Sequence, residues 1–163
     1  MPKTTFKNDV HVTGRLTSGS MATANQVALT ASATMNALTH AGRLMTVAKA
    51  DGLTITLPAA TGTGNVYRFL VTTAVTSNAY VWQVTGDDTI VGQVTITLAA
   101  GGTTFGESAA GTDDTLSING TTSGGLIGSY VEFTDVKVDL WLLDARLLGS
   151  GTLATTGLLT AAV

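Results

Sequence analysis

The chain carries few side chains that could perform acid–base or nucleophilic chemistry. Its 163 residues include no cysteine and only two histidines, His11 and His40. Neither histidine has the spacing of a zinc-binding His-Glu-x-x-His motif, and no Gly-x-Ser-x-Gly sequence presents a serine nucleophile. His11 falls on the polar side of an alternating segment and His40 in a predicted turn, so we interpret both as surface histidines. We therefore expect no catalytic residues, no metal site built on histidine or cysteine, and no cofactor.

Two adjacent aspartate pairs are the remaining candidates for a binding site. Asp87-Asp88 and Asp113-Asp114 each lie in a predicted turn. Carboxylates from two such loops could bind calcium if the loops met in space. Adjacent aspartates also favour turns without any ion, because their side chains accept hydrogen bonds from nearby backbone groups. We interpret the pairs as turn formers, with ion binding as the alternative.

The composition suggests a surface that is partly covered by other protein. Charged residues make up only 12% of the chain, against about 25% in an average globular protein. Such a surface is poorly solvated unless subunit contacts cover part of it, or unless threonine hydroxyls solvate it. The net charge is −3 and no run of lysine or arginine occurs, so we expect no nucleic-acid partner.

No membrane association is expected either. The apolar run at residues 140–148 is interrupted by Asp144 and Arg146, and is too short to span a bilayer. The first residues lack the apolar core of a signal peptide.

Alternating apolar and polar residues predict β-strands through the middle of the chain. In residues 52–57, Leu53, Ile55 and Leu57 point one way and threonines the other, which is typical of a strand with one buried face. The turn residues Ala50-Asp51-Gly52 predict a hairpin into this strand. Further strands are predicted over residues 43–48, 66–73, 79–85, 93–98, 116–118 and 129–143. Together they suggest a meander of short strands.

The longest of these strand signals, residues 129–143, changes parity near Thr134-Asp135. Val131 and Phe133 form the apolar set before the change. The apolar set after it is Val136, Val138, Leu140 and Leu142. A parity change of this kind predicts a bulge or corner, where one long strand passes from one sheet to another.

These signals predict an all-β protein: an antiparallel β-sandwich or jelly-roll-like domain with an extended N-terminal arm. The arm occupies residues 1–20, the domain residues 21–148, and an apolar tail residues 149–163. Residues 21–41 are ambiguous, because alanines favour a helix and threonines oppose it; we expect extended structure with one or two short strands.

The arm contains one isolated strand signal in residues 6–16. Its apolar side chains lie at even positions and its polar ones at odd positions. The apolar set is Phe6, Val10, Val12 and Leu16. A lone strand cannot pair its own backbone, so it must add to a sheet. The flexible Ser/Gly sequence that follows favours a sheet of a neighbouring subunit or of a capsid protein, and the alternative is that the strand folds back on its own domain.

The tail is a second expected contact. Leu158, Leu159 and Val163 lie in a small, apolar and glycine-punctuated segment. We expect this segment either to dock on a neighbouring subunit or to be poorly ordered.

The strand region resembles β-domains on tailed-bacteriophage particles. The resemblance is carried by residues 43–64, which include Ala50-Asp51-Gly52, and by the continuation Val66-Tyr67-Arg68-Phe69. It is also carried by Asp87-Asp88-Thr89-Ile90-Val91-Gly92 and by a late strand ending Asp139-Leu140-Trp141. Residues 6–16 resemble the attachment segments at the front of such proteins. The resemblance covers roughly residues 6–16 and 40–143, and it contains no catalytic residues to transfer.

The resemblance implies a homotrimer on the virion, at three-fold positions of the capsid. The function expected from it is capsid decoration: a cement protein on the capsid exterior, made in the host bacterial cytoplasm, with the major capsid protein and its own copies as partners. The absence of an internal repeat favours this function over a fibre. The alternative is a fibre or knob module that binds a host-surface glycan on Tyr80, Trp82 or Trp141.

Overall fold

Strands are the main regular structure of the chain, which the computed structural model describes for residues 26–161. One single-turn helix, α1 (Ala37–His40), interrupts them. The strands are β1 (Gln26–Leu29), β2 (Ala33–Thr34), β3 (Leu44–Val47), β4 (Leu53–Thr56), β5 (Val66–Val71), β6 (Tyr80–Gln83), β7 (Thr89–Leu98), β8 (Thr104–Ser108), β9 (Thr115–Ile118), β10 (Tyr130–Lys137), β11 (Leu140–Gly149) and β12 (Leu159–Thr160). The all-β prediction is confirmed.

The described strands form two sheets, and both are mixed. The larger has the order β1-β3-β5-β10-β11-β7-β8 and the smaller β12-β9-β6-β4-β2. Five neighbouring pairs are parallel: β1 with β3, β3 with β5, β2 with β4, β4 with β6, and β7 with β11. The predicted antiparallel arrangement was therefore wrong. Period-two alternation reports which face is buried and is the same for either strand direction.

The first half of the chain alternates between the two sheets. Strands β1, β3 and β5 belong to the larger sheet and β2, β4 and β6 to the smaller one, so the chain makes three parallel passes. The predicted meander and the hairpin at Ala50-Asp51-Gly52 were wrong, because β3 and β4 lie in different sheets. Gly52 has φ +80, and a Cβ there would overlap the Ala79 carbonyl oxygen of the neighbouring pass. The glycine thus permits a close backbone approach between consecutive passes.

Buried side chains from both sheets form one hydrophobic cluster. Phe69 on β5 and Trp82 on β6 meet edge-to-face with ring centroids 5.8 Å apart, which joins the two sheets directly. Tyr67 and Trp141 make a similar contact at 5.7 Å. Edge-to-face pairs place the positive edge of one ring against the negative face of the other, which adds about 1 kcal/mol to area burial.

The predicted long strand over residues 129–143 is a hairpin within one sheet. Strand β10 ends at Lys137, the chain reverses through Asp139 at φ +60, and β11 returns antiparallel to β10. The register shifts between Asp135 and Lys137, as a bulge does. A bulge was predicted near Thr134-Asp135, and the register shift lies there. The predicted passage from one sheet to the other was wrong.

The reversal also corrects which residues of this region are buried. Val136, Val138 and Leu142 are exposed by 48%, 63% and 44%, and Leu140 is half-buried, so they do not form a core face. Trp141 is fully buried instead. The buried positions are odd-numbered on both strands, Val131 and Phe133 before the turn and Trp141 and Leu143 after it, so the buried face keeps its parity and the even-numbered aliphatic side chains lie outside.

Residues 26–41 contain the short strands β1 and β2, as expected, followed by α1. Asn36 caps this helix, since its Oδ1 accepts a hydrogen bond of 2.9 Å from the Leu38 N–H.

Replacing Gly92 with alanine should destabilise the protein far more than replacing Gly86. Both glycines have positive φ, +116 and +65. A Cβ at Gly92 would overlap the Leu143 carbonyl oxygen on β11, whereas nothing lies within 4 Å of one at Gly86. Urea unfolding should give a loss of about 1 kcal/mol for Gly86→Ala, from left-handed strain alone, and a clearly larger loss for Gly92→Ala. Equal losses would contradict the close approach of β7 and β11.

Candidate interaction surfaces

A buried carboxylate fixes the loop that follows β4. The side chain of Asp135 on β10 is 3% exposed. Its Oδ1 accepts hydrogen bonds from the N–H groups of Thr61 at 3.0 Å and Gly62 at 2.6 Å. Its Oδ2 accepts from the N–H of Thr63 at 3.0 Å and from the Thr63 hydroxyl at 2.6 Å. Successive backbone amides around one anion make a strong, directional clamp between the loop and the hairpin.

The clamp determines the charge state of Asp135. Burial by itself would raise the pKa of this carboxyl, because burial disfavours the charged form. The hydrogen bonds from the Thr63 side chain and from the backbone of Thr63, Gly62 and Thr61 outweigh burial, and the pKa lies below its usual range. Asp135 is therefore an ionised structural acceptor committed to the loop.

The two aspartate pairs were predicted as turn formers, with ion binding as the alternative. Among the described residues, they are not part of a group placed to hold a metal ion. The backbone of their two turns does meet, since the Ile90 N–H donates to the Asp113 carbonyl at 2.7 Å. Asp88 is buried and accepts from the Ala60 N–H at 2.8 Å and the Trp141 indole N–H at 3.2 Å. Within residues 26–161, no group of three or more histidine, aspartate or glutamate side chains is placed to hold a metal ion.

Unlike Asp88, Asp113 and Asp114 accept hydrogen bonds from residues close to them in sequence. Asp113 accepts a hydrogen bond of 2.6 Å from the Ala110 N–H. Asp114 accepts one of 2.7 Å from the Thr115 hydroxyl. Asp87 lies on the exposed side of its turn.

The predicted aromatic platform for a glycan does not exist on the surface. Tyr80, Trp82 and Trp141 are all 0% exposed. The Tyr80 hydroxyl lies 2.7 Å from the carbonyl oxygens of both Lys49 and Thr73, shares its one proton between these acceptors, and so ties loops together. A sugar ring therefore cannot stack on any of these three aromatic rings. The assignment of these residues to a glycan-binding platform was wrong.

His40 has a local structural role. It is the last residue of α1, and its Nδ1 lies 2.9 Å from the Asn36 N–H, from which it accepts a hydrogen bond. The ring thus closes the single turn of the helix. His11 lies outside the described residues.

The tail residues Leu158 and Leu159 are buried in their own chain, at 1% and 6% exposed. Leu159 pairs with Leu116 on β9. The Glu107 carboxylate on β8 accepts hydrogen bonds from the N–H groups of Gly157 at 3.0 Å and Leu158 at 2.9 Å. These leucines have almost no side-chain surface left for a neighbouring subunit, so their predicted interface role is corrected.

The remaining predicted interface residues lie outside the described part of the chain. They are Phe6, Val10, Val12, Leu16 and Val163. Their roles stay predictions.

The outer face of the larger sheet carries a polar network at its centre. Glu132 Oε2 accepts hydrogen bonds from Arg68 Nε at 2.8 Å and from the Tyr130 hydroxyl at 2.7 Å. Arg146 lies over the Tyr130 ring, 5.2 Å from its centroid, and pairs loosely with Asp144 at 3.5 Å. The Tyr130 hydrogen bond, opposed by partial burial and aided by Arg68, lowers the pKa of Glu132.

Beside this network, aliphatic side chains are exposed around the β10–β11 turn. Val136, Val138 and Leu142 form what we call the hairpin cluster. On β10 and β11, Thr134 is paired with Leu142, so Leu142 lies diagonally next to Val136. Sequence reasoning missed this surface because it assigned these residues to the core. The charged residues that flank Val138, Lys137 and Asp139, were the available signal for an exposed turn.

A shallow groove lies next to the hairpin cluster. It has a volume of about 400 Å³ and is lined by Gly92, Gln93, Ser108, Leu142, Leu143 and Asp144. Its polar side chains are exposed and are not arranged around a nucleophile. The hairpin cluster, with its three exposed aliphatic side chains, is therefore the described surface that we consider for protein binding.

In comparisons with known proteins, no family model, no curated protein and no solved structure matches the chain. Among residues 26–161, no helix has the length and apolar character needed to cross a membrane.

Replacing Asp135 with asparagine should destabilise the protein by about 3 kcal/mol, because buried amides lose a charged acceptor. Since the folded-state pKa of Asp135 is lowered, its contribution is fully present above the unfolded-state pKa of about 3.9 and is lost as the pH falls through the lower folded value. Urea unfolding between pH 7 and pH 3 should therefore show a weaker acid dependence for Asp135→Asn than for the unmodified chain.

The matched control for this experiment is Asp144→Asn. The Asp144 side chain is 54% exposed and its ion pair is long, so the substitution should leave stability nearly unchanged. An unaltered acid dependence in Asp135→Asn would contradict the clamp.

Proposed function

We propose that the chain is a structural protein of a tailed-bacteriophage particle, a homotrimeric decoration protein on the outer capsid surface. It binds across neighbouring capsid subunits and stabilises the assembled shell. In this proposal the two mixed sheets pack as a β-sandwich, which is a rigid body that presents the contact surfaces.

The observation that carries the proposal is the hairpin cluster. Three aliphatic side chains, Val136, Val138 and Leu142, are between 44% and 63% exposed at one end of a sheet. The hydrophobic cluster of the described residues is built without these three side chains. Several exposed aliphatic side chains around one turn suit a protein interface.

Three properties of the sequence support the same function. Charged residues are only 12% of the chain, which suits a protein whose surface is partly covered by partners. Residues 6–16 alternate as a strand that needs a sheet to join. Residues 40–143 also resemble virion β-domains, and residues 6–16 resemble the attachment segments of such proteins. The resemblance supplies the trimer and the capsid location.

The mechanism is stabilisation by differential binding. A decoration protein that binds the assembled shell and not its free subunits lowers the free energy of the shell by RT ln(1 + [L]/Kd). Apolar burial at the hairpin cluster supplies part of the affinity. Addition of residues 6–16 to a sheet edge supplies main-chain hydrogen bonds.

Deletion of residues 1–20 should abolish co-sedimentation with empty heads of the phage that encodes the chain. The two described sheets are built from residues 26–161, and we expect the deleted protein to keep its thermal unfolding transition. Unchanged binding would contradict the role of the arm.

A paired substitution refines this experiment. Val10→Asp with Val12→Asp places charges on the apolar side of the arm and should weaken head binding at least tenfold, or about 1.4 kcal/mol. His11→Asp with Thr13→Asp adds the same charge to the polar side and should have little effect. Equal losses in both variants would indicate a general charge effect and no strand with a buried face.

A further inference from the structure

We propose that β8, the last strand of the larger sheet, pairs edge to edge with β8 of a second copy of the chain. The two strands run antiparallel about a two-fold axis at Gly106 and join two sheets into one. This inference goes beyond the proposed function, because it concerns contact between copies of the chain and holds whether or not a capsid is the assembly partner. A two-fold contact differs from the contacts within a three-fold ring, so it can link one trimer to another.

Within residues 26–161, no strand covers the outer edge of β8. The order of the larger sheet places β8 (Thr104–Ser108) at its end, next to β7 alone. It is the longest of the described strands that end a sheet, since β1 has four residues and β2 and β12 have two each. A strand in this position presents N–H and C=O groups to which another strand can bind.

The ladder between β7 and β8 shows which backbone groups of β8 face outward. At the start of this ladder, the Leu98 N–H donates a hydrogen bond of 2.8 Å to the Thr103 carbonyl. Hydrogen-bonded pairs in an antiparallel ladder recur at every second residue. The odd-numbered residues of β8 therefore bond to β7. The backbone groups of Thr104, Gly106 and Ser108 point away from β7, toward the open edge.

Strand β8 lacks three features that commonly prevent pairing at a sheet edge. It contains no lysine and no proline, and its register with β7 is continuous, without a bulge. Its one charged residue is Glu107, whose carboxylate accepts hydrogen bonds from the Gly157 and Leu158 N–H groups of its own chain at 3.0 and 2.9 Å. This charge is therefore held on its own chain and does not project from the edge.

The sequence of β8 is complementary to itself in the proposed arrangement. Antiparallel pairing about Gly106 places Thr104 opposite Ser108 of the second copy, and Phe105 opposite Glu107 of the second copy. Neither pair brings two like charges together, which would oppose pairing. Gly106 has no side chain, so the two backbones can approach closely at the axis.

Phe105 favours a second copy over an unrelated strand. It is 36% exposed, and it is the one aromatic residue among the exposed large hydrophobic residues of the described chain. In the paired strands the two Phe105 side chains are diagonal neighbours on one face, about 7–8 Å apart and within reach of aromatic rings. Pairing therefore covers ring surface on both copies and also forms main-chain hydrogen bonds.

Disulfide trapping in the intact chain measures both the pairing and its register, because the sequence has no cysteine. Gly106→Cys places one thiol of each copy at the axis, with Cα atoms about 5.5 Å apart, a separation that a disulfide spans. Thr104→Cys and Ser108→Cys are matched controls on the same face of the same strand. Pairing places the two copies of either control thiol roughly 13 Å apart along the strands.

The expected rates follow from this register. Mild oxidation of Gly106→Cys should give a product of twice the chain mass at least tenfold faster than either control alone. A mixture of the Thr104→Cys and Ser108→Cys proteins should also react fast, because their thiols lie opposite each other. Equal rates for the three single variants would indicate random collision and would overturn the proposal. A fast reaction of Gly106→Cys with a slow mixture would indicate proximity without strand pairing and would also overturn it.

A proline substitution provides a second measurement. Gly106→Pro removes an N–H that points away from β7, so the ladder between β7 and β8 should remain. Added to both proteins of the Thr104→Cys and Ser108→Cys mixture, it should slow cross-linking at least tenfold while each protein keeps its thermal unfolding transition. An unchanged rate would contradict pairing through the main chain. Both measurements use the free protein without heads, so they can fail while head binding succeeds, and the reverse.

Discussion

The hydrogen bonds to Asp135 are the interaction on which the described architecture most depends. The chain changes sheets repeatedly, so its loops must be held at the sheet edges without a ladder of their own. The loop after β4 is held by one buried carboxylate, which accepts backbone and side-chain hydrogen bonds from Thr61, Gly62 and Thr63. Asp135 also lies at the base of the β10–β11 turn. The same clamp therefore fixes both the passage between the sheets and the position of the hairpin cluster.

The sequence predicted the strands better than it predicted their partners. The alternation at Leu53, Ile55 and Leu57 correctly identified a strand with a buried face. It contained no information on direction, because a parallel and an antiparallel neighbour require the same period of two. Consecutive strands such as β3 and β4 were expected to pair because a turn signal joins them. In the folded chain Gly52 turns them into different sheets, which only the packing of the whole core determines.

The candidate surfaces were predicted less well, for a related reason. Aliphatic residues were assigned to the core by parity, yet the turn at Asp139 reverses the chain and leaves Val136 and Leu142 outside. The alternative function placed a glycan on Tyr80, Trp82 or Trp141, but Trp82 and Trp141 fill the core because large rings bury the most area. Leu158 is buried in its own chain through the Glu107 carboxylate, a contact between residues 51 positions apart in sequence. Such contacts have no local signature.

We propose that this chain is a decoration protein that binds the outside of a phage head. Electron cryomicroscopy of empty heads, with and without the added intact chain, is the test of this proposal. We expect additional density for three copies at three-fold positions on the outer surface. Heads that remain bare at saturating protein concentration would contradict it.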